Sequence, residues 1–294
     1  FRYNCINYFY NNKYYLSDKS NVFTDNKIIG YIKNIQFNFI FIILCIYSNY
    51  IFITHPIKDI RLLYKVLDIV IINKKMNSME ILGMKYSSDK ITHHRYHEIF
   101  PQFISKFYDR QGGIIEIGVE QFNSIKMWLE LFTNAHIYGY DINIDNAGER
   151  HTIFKGDQSK ANDLDRFISI LRHPIFFIND DGSHIPEHQI LTFNKLFPIL
   201  EDGGIYIIED IETSYWTKSE IYNYPTRYGY KNPNSAVELF KNIIDCVNSE
   251  FLQQNIDTPI MHLDNIKMIS FAYNCIIIEK GAREKRPYRF QYKI

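Results

Sequence analysis

Two apolar runs of this 294-residue chain end in acid. Ile175-Phe176-Phe177-Ile178 leads into Asn179-Asp180-Asp181-Gly182-Ser183-His184, and Gly204-Ile205-Tyr206-Ile207-Ile208 leads into Glu209-Asp210. If these runs are neighbouring parallel strands, Asp181, Glu209 and Asp210 stand at one carboxyl edge with His184 just past the turn. That edge is where open α/β sheets bind ligands. Crowded carboxylates repel one another unless a cation neutralises them, and an all-oxygen donor set selects hard ions such as magnesium, calcium or manganese over zinc, with magnesium the first expectation. A histidine beside them can take up a proton near neutral pH. Asp-Gly alone would be an ordinary turn, and Glu209-Asp210 alone a solvated loop or a helix cap. Turn chemistry does not account for three acids and a histidine at two strand ends.

A second set of residues precedes these. Gly113-Ile114-Ile115-Glu116-Ile117-Gly118-Val119 reads as a first strand, and Gly118 would let the backbone turn sharply and approach a ligand. Tyr138-Gly139-Tyr140-Asp141 ends the second strand, with its acid about 20 residues beyond the glycine, a spacing that suits ribose hydroxyls. The GxGxxG cradle for a pyrophosphate is missing. A nucleoside without phosphates, such as S-adenosylmethionine, needs none, and Glu116 would hold its cationic methionine portion or order the turn. Asp157-Gln158, after a third strand, adds an acid and an amide where an adenine amino group could be read.

These positions require a particular scaffold. From residue 80 onward, apolar runs of four to six residues alternate with amphipathic stretches, the rhythm of a parallel βαβ sheet. Strands are expected at 114–117, 136–140, 152–154, 175–178, 204–208, 267–272 and 274–279, the last two antiparallel; helices are expected at 124–132, 161–171, 187–200 and 235–249. The expected fold class is α/β, a Rossmann-like doubly wound, mostly parallel seven-stranded sheet with an antiparallel last strand.

Composition narrows the function classes. Lys+Arg and Asp+Glu both number 33, so nothing marks a nucleic-acid partner. The four cysteines, Cys5, Cys45, Cys246 and Cys275, lack CxxC spacing, which argues against zinc or a disulfide framework and for a reducing compartment, the cytoplasm. Residues 1–75 crowd Phe, Tyr, Ile, Asn and Lys together without a fold pattern. Because the chain begins at Phe1 while Met76 and Met79 precede the first regular segment, that part is expected to be a fragment or translated upstream sequence. Within it, 35–53 is uncharged and near the length of a membrane span, which leaves a membrane-anchored form as the alternative, although Gln36, Asn38, Ser48 and Asn49 interrupt the run. Residues 282–294 form a basic tail.

The ordered motifs Gly113-Ile114-Ile115-Glu116-Ile117-Gly118-Val119, Ile137-Tyr138-Gly139-Tyr140-Asp141, Gly156-Asp157-Gln158-Ser159, Asp180-Asp181-Gly182-Ser183-His184 and Gly203-Gly204-Ile205-Tyr206-Ile207-Ile208-Glu209-Asp210 resemble class I S-adenosylmethionine-dependent methyltransferases. The likeness is nearest to the metal-dependent macrolide-sugar O-methyltransferases of the mycinamicin type, and looser to cephalosporin hydroxylase-like proteins. It extends to Thr213-Ser214-Tyr215-Trp216 and to Ile276-Ile277-Ile278-Glu279-Lys280-Gly281, covering roughly 83–281. The resemblance implies that Glu116, Gly118, Asp141 and Asp157 contact the cofactor, with Asp180 near its sulfonium end. It implies that Asp181, Glu209 and Asp210 hold a divalent cation and that His184 is the general base. Tyr86-Ser87-Ser88-Asp89-Lys90 resembles the family's Gly-Thr-Asp-Lys segment, with Ser87 in place of the glycine, and His93-His94-Arg95-Tyr96 its following His-rich stretch; both would sit over cofactor or substrate. Phe122-Asn123 replaces glycines of the first turn, which makes it bulkier, although Asn tolerates left-handed backbone better than most residues.

The expected activity is magnesium-dependent O-methyl transfer from S-adenosylmethionine to a hydroxyl of a sugar or glycosylated small molecule. The alternatives are a hydroxylase-like or other metal-using enzyme on the same fold, and a degenerate non-catalytic domain. Tyr215, Trp216, Tyr222, Tyr224, Tyr228 and Tyr230 supply aromatic surface suited to a sugar ring. The acceptor, and whether the chain forms a homo-oligomer, are left open.

Overall fold

Isoleucine-rich runs bounded by glycine, proline and acid make strands, since β-branched side chains pack well on a pleated surface. In the computed structural model the chain divides into two units, Phe1–Lys75 and Met76–Ile294. Residues 76–218, 226–248, 251 and 257–282 are described. The candidate membrane segment 35–53, the tail beyond Ala282, and Tyr222 and Tyr224 lie outside them.

The strands are β1 Gly112–Ile117, β2 Ala135–Asp141, β3 Asn146–Gly148, β4 His151–Lys155, β5 Ile175–Asp180, β6 Leu200–Glu209, β7 Ile266–Ala272 and β8 Cys275–Lys280. They form one sheet in the order β3-β4-β2-β1-β5-β6-β8-β7. β4, β2, β1, β5 and β6 run parallel, and β8 lies antiparallel between β6 and β7. The seven expected strands are all there, with the last one reversed. The eighth, β3, pairs antiparallel with β4; its three residues are exposed, so no apolar alternation announced it.

The helices are α1 Ser78–Tyr86, α2 Asp89–Thr92, α3 Pro101–Ile104, α4 Asn123–Leu131, α5 Ala161–Ile170, α6 Pro186–Leu196, α7 Ala236–Lys241 and α8 Ile243–Val247. The helix expected over 187–200 stops at Leu196 because Pro198 cannot continue the ladder, and a 3-10 turn, Phe197–Ile199, feeds directly into β6. The one expected over 235–249 breaks at Asn242 into α7 and α8. Ser235 caps α7 by accepting from the Glu238 amide.

Period-2 alternation splits the sheet between two cores. Ile114, Phe177, Ile205, Ile207 and Ile277 pack with Met79, Trp128 and Phe132 under α1 and α4. Ile115, Ile178, Tyr206, Ile208 and Ile276 pack with Phe167, Phe193 and Phe240 under α5, α6 and α7. With both faces covered, the free functional surface is the carboxyl edge, between β1 and β5 where the strand order reverses. No helix among the described residues is long and apolar enough to cross a membrane.

Candidate active site

The alternation that makes the cores also sorts the acids. Glu116 of β1 pairs in register with Asn179 of β5, which pairs with Ile207 of β6, two residues before Glu209. Glu116, Asn179 and Glu209 therefore share the α1/α4 face, and Asn179 donates a 2.6 Å hydrogen bond to Glu209 Oε1. Asp180 faces the other way, where its Oδ1 accepts from Gln158 at 2.8 Å. Asp181 and Asp210 lie one residue past their strands, at the edge itself.

A lysine stands at the centre of the first group. Lys90, on α2, is 0% exposed. Its ammonium touches Asp181 Oδ2 and lies 3.0 Å from Glu209 Oε1 and 3.4 Å from Glu116 Oε1. Burial alone would push this ammonium's pKa down, but the carboxylates of Asp181, Glu209 and Glu116 outweigh it and the net shift is upward.

Asp181, His184 and Asp210 each turn one ligand atom inward, and these atoms lie within 4.8 Å of one another, close enough to hold one metal ion. His184 Nε2 is 3.7 Å from Asp210 Oδ2. The other oxygen of Asp210 is occupied: Oδ1 accepts 2.9 Å hydrogen bonds from the Tyr96 hydroxyl and from Asn274 Nδ2, with His94 Nδ1 at 3.3 Å. Asn274 also accepts from the Glu212 amide, so the β7–β8 turn braces this loop. Glu209 sits behind the triad, held by Lys90 and Asn179 through Oε1, while its Oε2 is buried with no hydrogen-bond partner among the described residues. Burial, then the charge of Asp181, pushes the Asp210 carboxyl up to about 8, and the same causes raise Glu209 well above the usual range. Burial lowers the pKa of His184 and keeps its imidazole neutral at pH 7.

Across the cleft the acids are wired differently. Both oxygens of Asp141 are saturated by backbone: Oδ2 accepts from the Val119 and Glu120 amides at 3.0 and 3.1 Å, and Oδ1 from Asn143 and Ile144 at 2.7 and 3.1 Å. Burial would raise its pKa, yet these four donors pull it below the ordinary value. Gly118, at φ +83°, could not carry a side chain, because a Cβ would sit 1.9 Å from the Asp181 carbonyl oxygen. The glycine therefore packs the turn after β1 directly against the turn after β5.

The sequence-expected residues divide on position. Gly118, Asp141, Asp181, His184 and Asp210 line one open cleft of about 1450 Å³. Glu116 is sealed beneath it, accepting from Ser124 Oγ at 2.7 Å. Asp157 is outside, held to about 2 by hydrogen bonds from Ser159. Asp180 is buried against Gln158 and Tyr206, and burial pushes it up to about 7. Gln158 braces the loop after β5, donating to Asp180 and accepting from the Ser183 amide. Lys90, Tyr96 and Asn274 were not singled out as site residues by pattern; the likeness of Ser88-Asp89-Lys90 and His93-His94-Arg95-Tyr96 to family segments pointed toward the first two, and nothing pointed toward Asn274.

Backbone strain gathers at the same cleft. Ser87, Glu120, His184, Asp210 and Asn274 all line it and all have positive φ, between 47° and 56°. Such conformations cost about 1–3 kcal/mol each for non-glycine residues and persist where the surroundings enforce them. The left-handed residues of the first turn are Glu120 and Phe122 and not Asn123, which instead opens α4; the Phe122 ring is held edge-on to His151 at 5.1 Å.

Comparison with known proteins fits this geometry. No family model matches the chain. The 8-demethyl-8-alpha-L-rhamnosyl tetracenomycin-C 2'-O-methyltransferase of Streptomyces olivaceus is 31% identical over 214 residues, 68% of this chain and 54% of its own length. The mycinamicin VI 2''-O-methyltransferase of Micromonospora griseorubida is 31% identical over 208 residues, 64% and 49% respectively. The crystal structure of the MycE methyltransferase from the mycinamycin biosynthetic pathway, in complex with Mg and SAH, superposes with a TM-score of 0.63 at 27% identity, covering 71% of this chain and 55% of that one. The chain is a relative of the sugar O-methyltransferases, with the class I methyltransferase fold.

It spans about half the length of the curated relatives it matches. In this methyltransferase fold the triad and the Gly118–Asp141 turn occupy the two sides of one carboxyl-edge cleft. A cleft of about 1450 Å³ exceeds the roughly 300–1,000 Å³ of a pocket for one small ligand, and so has room for a cofactor and an acceptor together.

Proposed function

We propose that this domain transfers a methyl group from S-adenosylmethionine to a hydroxyl of a sugar or glycosylated small molecule, with a hard divalent cation, magnesium first, at the Asp181 side of the cleft. The observation that carries this reading is that Asp181, His184 and Asp210 converge in the same cleft as Gly118 and Asp141. The donor set fits such an ion. Asp181, Asp210 and a partly unsatisfied third, Glu209, offer oxygen donors, and the raised pKa of Asp210 and Glu209 marks a place where a divalent cation would favour the ionised form. Asp181 and Asp210 would hold it, with Glu209 behind them. When bound, the ion would lower the pKa of an acceptor hydroxyl.

An alcohol attacks a sulfonium methyl poorly until its proton leaves. His184 is buried and neutral, so Nε2 can take that proton while the oxygen forms a bond to the methyl carbon and the carbon–sulfur bond breaks, releasing the thioether. Thr213 Oγ1 donates a 2.6 Å hydrogen bond to the His184 carbonyl and fixes the strained backbone that aims the ring. Gly118 and Asp141 form the cofactor wall; Tyr215 and Trp216 line the far side, where aromatic faces suit a sugar ring. The free, buried thiols of Cys246 and Cys275 agree with a reducing compartment such as the cytoplasm.

A second reading has its own support: His184 shares the 4.8 Å triad and could be a ligand in place of Glu209. One experiment addresses both. His184→Ala should lose roughly 100-fold or more in turnover with a radiolabelled methyl donor and a panel of glycosides, while S-adenosylhomocysteine and Mn²⁺ affinities measured by titration stay within a few-fold. Loss of Mn²⁺ binding would favour the ligand role. Failure of wild type to bind S-adenosylhomocysteine, with or without magnesium, would remove the methyltransferase reading.

A further inference from the structure

The acid cluster poses a problem before any ion arrives. Glu116 and Glu209 are 0% exposed, and Asp181 shares their cation. Carboxylates buried beside one another without positive charge either take up protons or drive the segment that carries them back to water. Neither gathers a ligand set at the end of β5 and β6.

Lys90 meets that need. Its ammonium contacts all three acids, and nothing in its setting lets it leave. The segment that carries it is pinned at both ends. Ile91 is wedged against α1 at Gly83, where an added Cβ would lie 1.9 Å from Ile91 Cγ1. Tyr96, 0% exposed, donates to Asp210 and stacks on Phe100 at 4.7 Å. A lysine is suited to the place because its compact ammonium can serve three acceptors from one point, whereas a guanidinium demands a planar fork. Beside it, Asp210 has no contact with Lys90 among the described ion pairs, and its Oδ2 turns toward His184.

We infer that Lys90 is a positioning residue: a resident cation that holds Glu116, Asp181 and Glu209 gathered in the metal-free protein, so that the site for the divalent ion is built before the ion binds. The inference rests on reading the Asp181–Asp210 edge as an ion site, and not on methyl transfer. Its consequence is that the two cations share one task. Without the lysine, the divalent ion becomes the only charge that can keep the cluster together.

The test uses the full chain, with Mg²⁺ or Mn²⁺ alone as the probe. Lys90→Met keeps the length of the apolar stem and removes the charge. In EDTA it should melt roughly 5–15 °C below wild type, as expected for a buried ion cluster that loses one partner. Millimolar Mg²⁺ should recover at least half of that fall, and should raise the variant's Tm at least twice as much as it raises wild type's. If Lys90→Met cannot be purified folded, Lys90→Met with Glu116→Gln removes one charge of each sign and should fold while keeping the cation-dependent rise. A variant that melts with wild type in EDTA, or falls without recovery by either ion, overturns the inference. If wild type binds neither ion while Lys90→Met shows the full EDTA deficit, the ion site itself is wrong. Because S-adenosylhomocysteine is absent throughout, failure of the methyltransferase reading leaves this result untouched.

Discussion

Asp141 and Asp210 are the same residue type at the ends of neighbouring parts of one sheet, and the fold treats them in opposite ways. Asp141 accepts four backbone N–H bonds and is held below the ordinary carboxyl range; Asp210 is buried near Asp181 and Glu212 and is pushed up to about 8. The Asp141 side of the cleft is electrostatically complete, its acid spent on ordering the turn through Val119 and Glu120. The other side crowds Asp181, Glu209 and Asp210 together, resists the ionised form of the last two, and leaves one unsatisfied buried oxygen, on Glu209. In the proposed reading, the finished half recognises the cofactor by shape and the unfinished half takes the cation.

Breaking the unfinished half should have the largest effect. Asp210→Asn keeps size and one oxygen but removes the charge, so Mn²⁺ affinity should fall by on the order of 100-fold, at least what disturbing the surroundings of a metal costs. S-adenosylhomocysteine affinity, measured by calorimetry in EDTA, should stay within about threefold. Equal loss of both would mean that the halves are not separable. Their contact at Gly118, against the Asp181 carbonyl, is where such coupling would travel.

Asp141→Asn attacks the finished half and should act on stability and cofactor, not on metal. Replacing a carboxylate that accepts four N–H bonds should cost about 1–3 kcal/mol and weaken S-adenosylhomocysteine roughly tenfold, with Mn²⁺ binding unchanged. The pH dependence has a definite sign. Because the folded-state pKa of Asp141 is depressed, its contribution is fully present above the unfolded value, near 4, and is lost as pH falls through the folded value. Wild type should therefore lose more stability than Asp141→Asn between about pH 4 and pH 2 in urea titrations. Parallel curves would show that the four amide bonds do not set its charge.

What was legible in the sequence follows the same division. The parallel strands and the two acidic strand ends could be read because apolar runs and terminal acids are local signals; the strand order came only with the fold. Lys90 could not, since nothing in the order of residues says that a lysine beside Asp89 will be drawn under the sheet edge by Ile91 and Tyr96. Glu116 was read as a cofactor contact within the first strand, and Gln158 as one just after the third. Strand parity puts Glu116 beneath the cleft, and Gln158 braces the loop after β5. Asn274, far along the chain in a hairpin turn, reaches Asp210 only through the antiparallel β8.

The smallest expected effect separates strain that serves the site from strain that is merely carried. Ser87 closes α1 at φ +54°, a position where glycine is favoured, and its amide still returns to Met84. Ser87→Gly should stabilise the domain by about 0.5–1 kcal/mol, a rise of a few degrees in Tm. Phe122→Gly relieves the same conformation on the cofactor side but removes the ring packed on His151, so it should gain nothing or lose. If Ser87→Gly raises Tm with Mn²⁺ affinity and turnover unchanged, its left-handed backbone is a tolerated cost. If Tm rises while turnover falls, the strained residue at the base of the Lys90 segment is holding that segment over the cleft, and the unfinished half is built under tension.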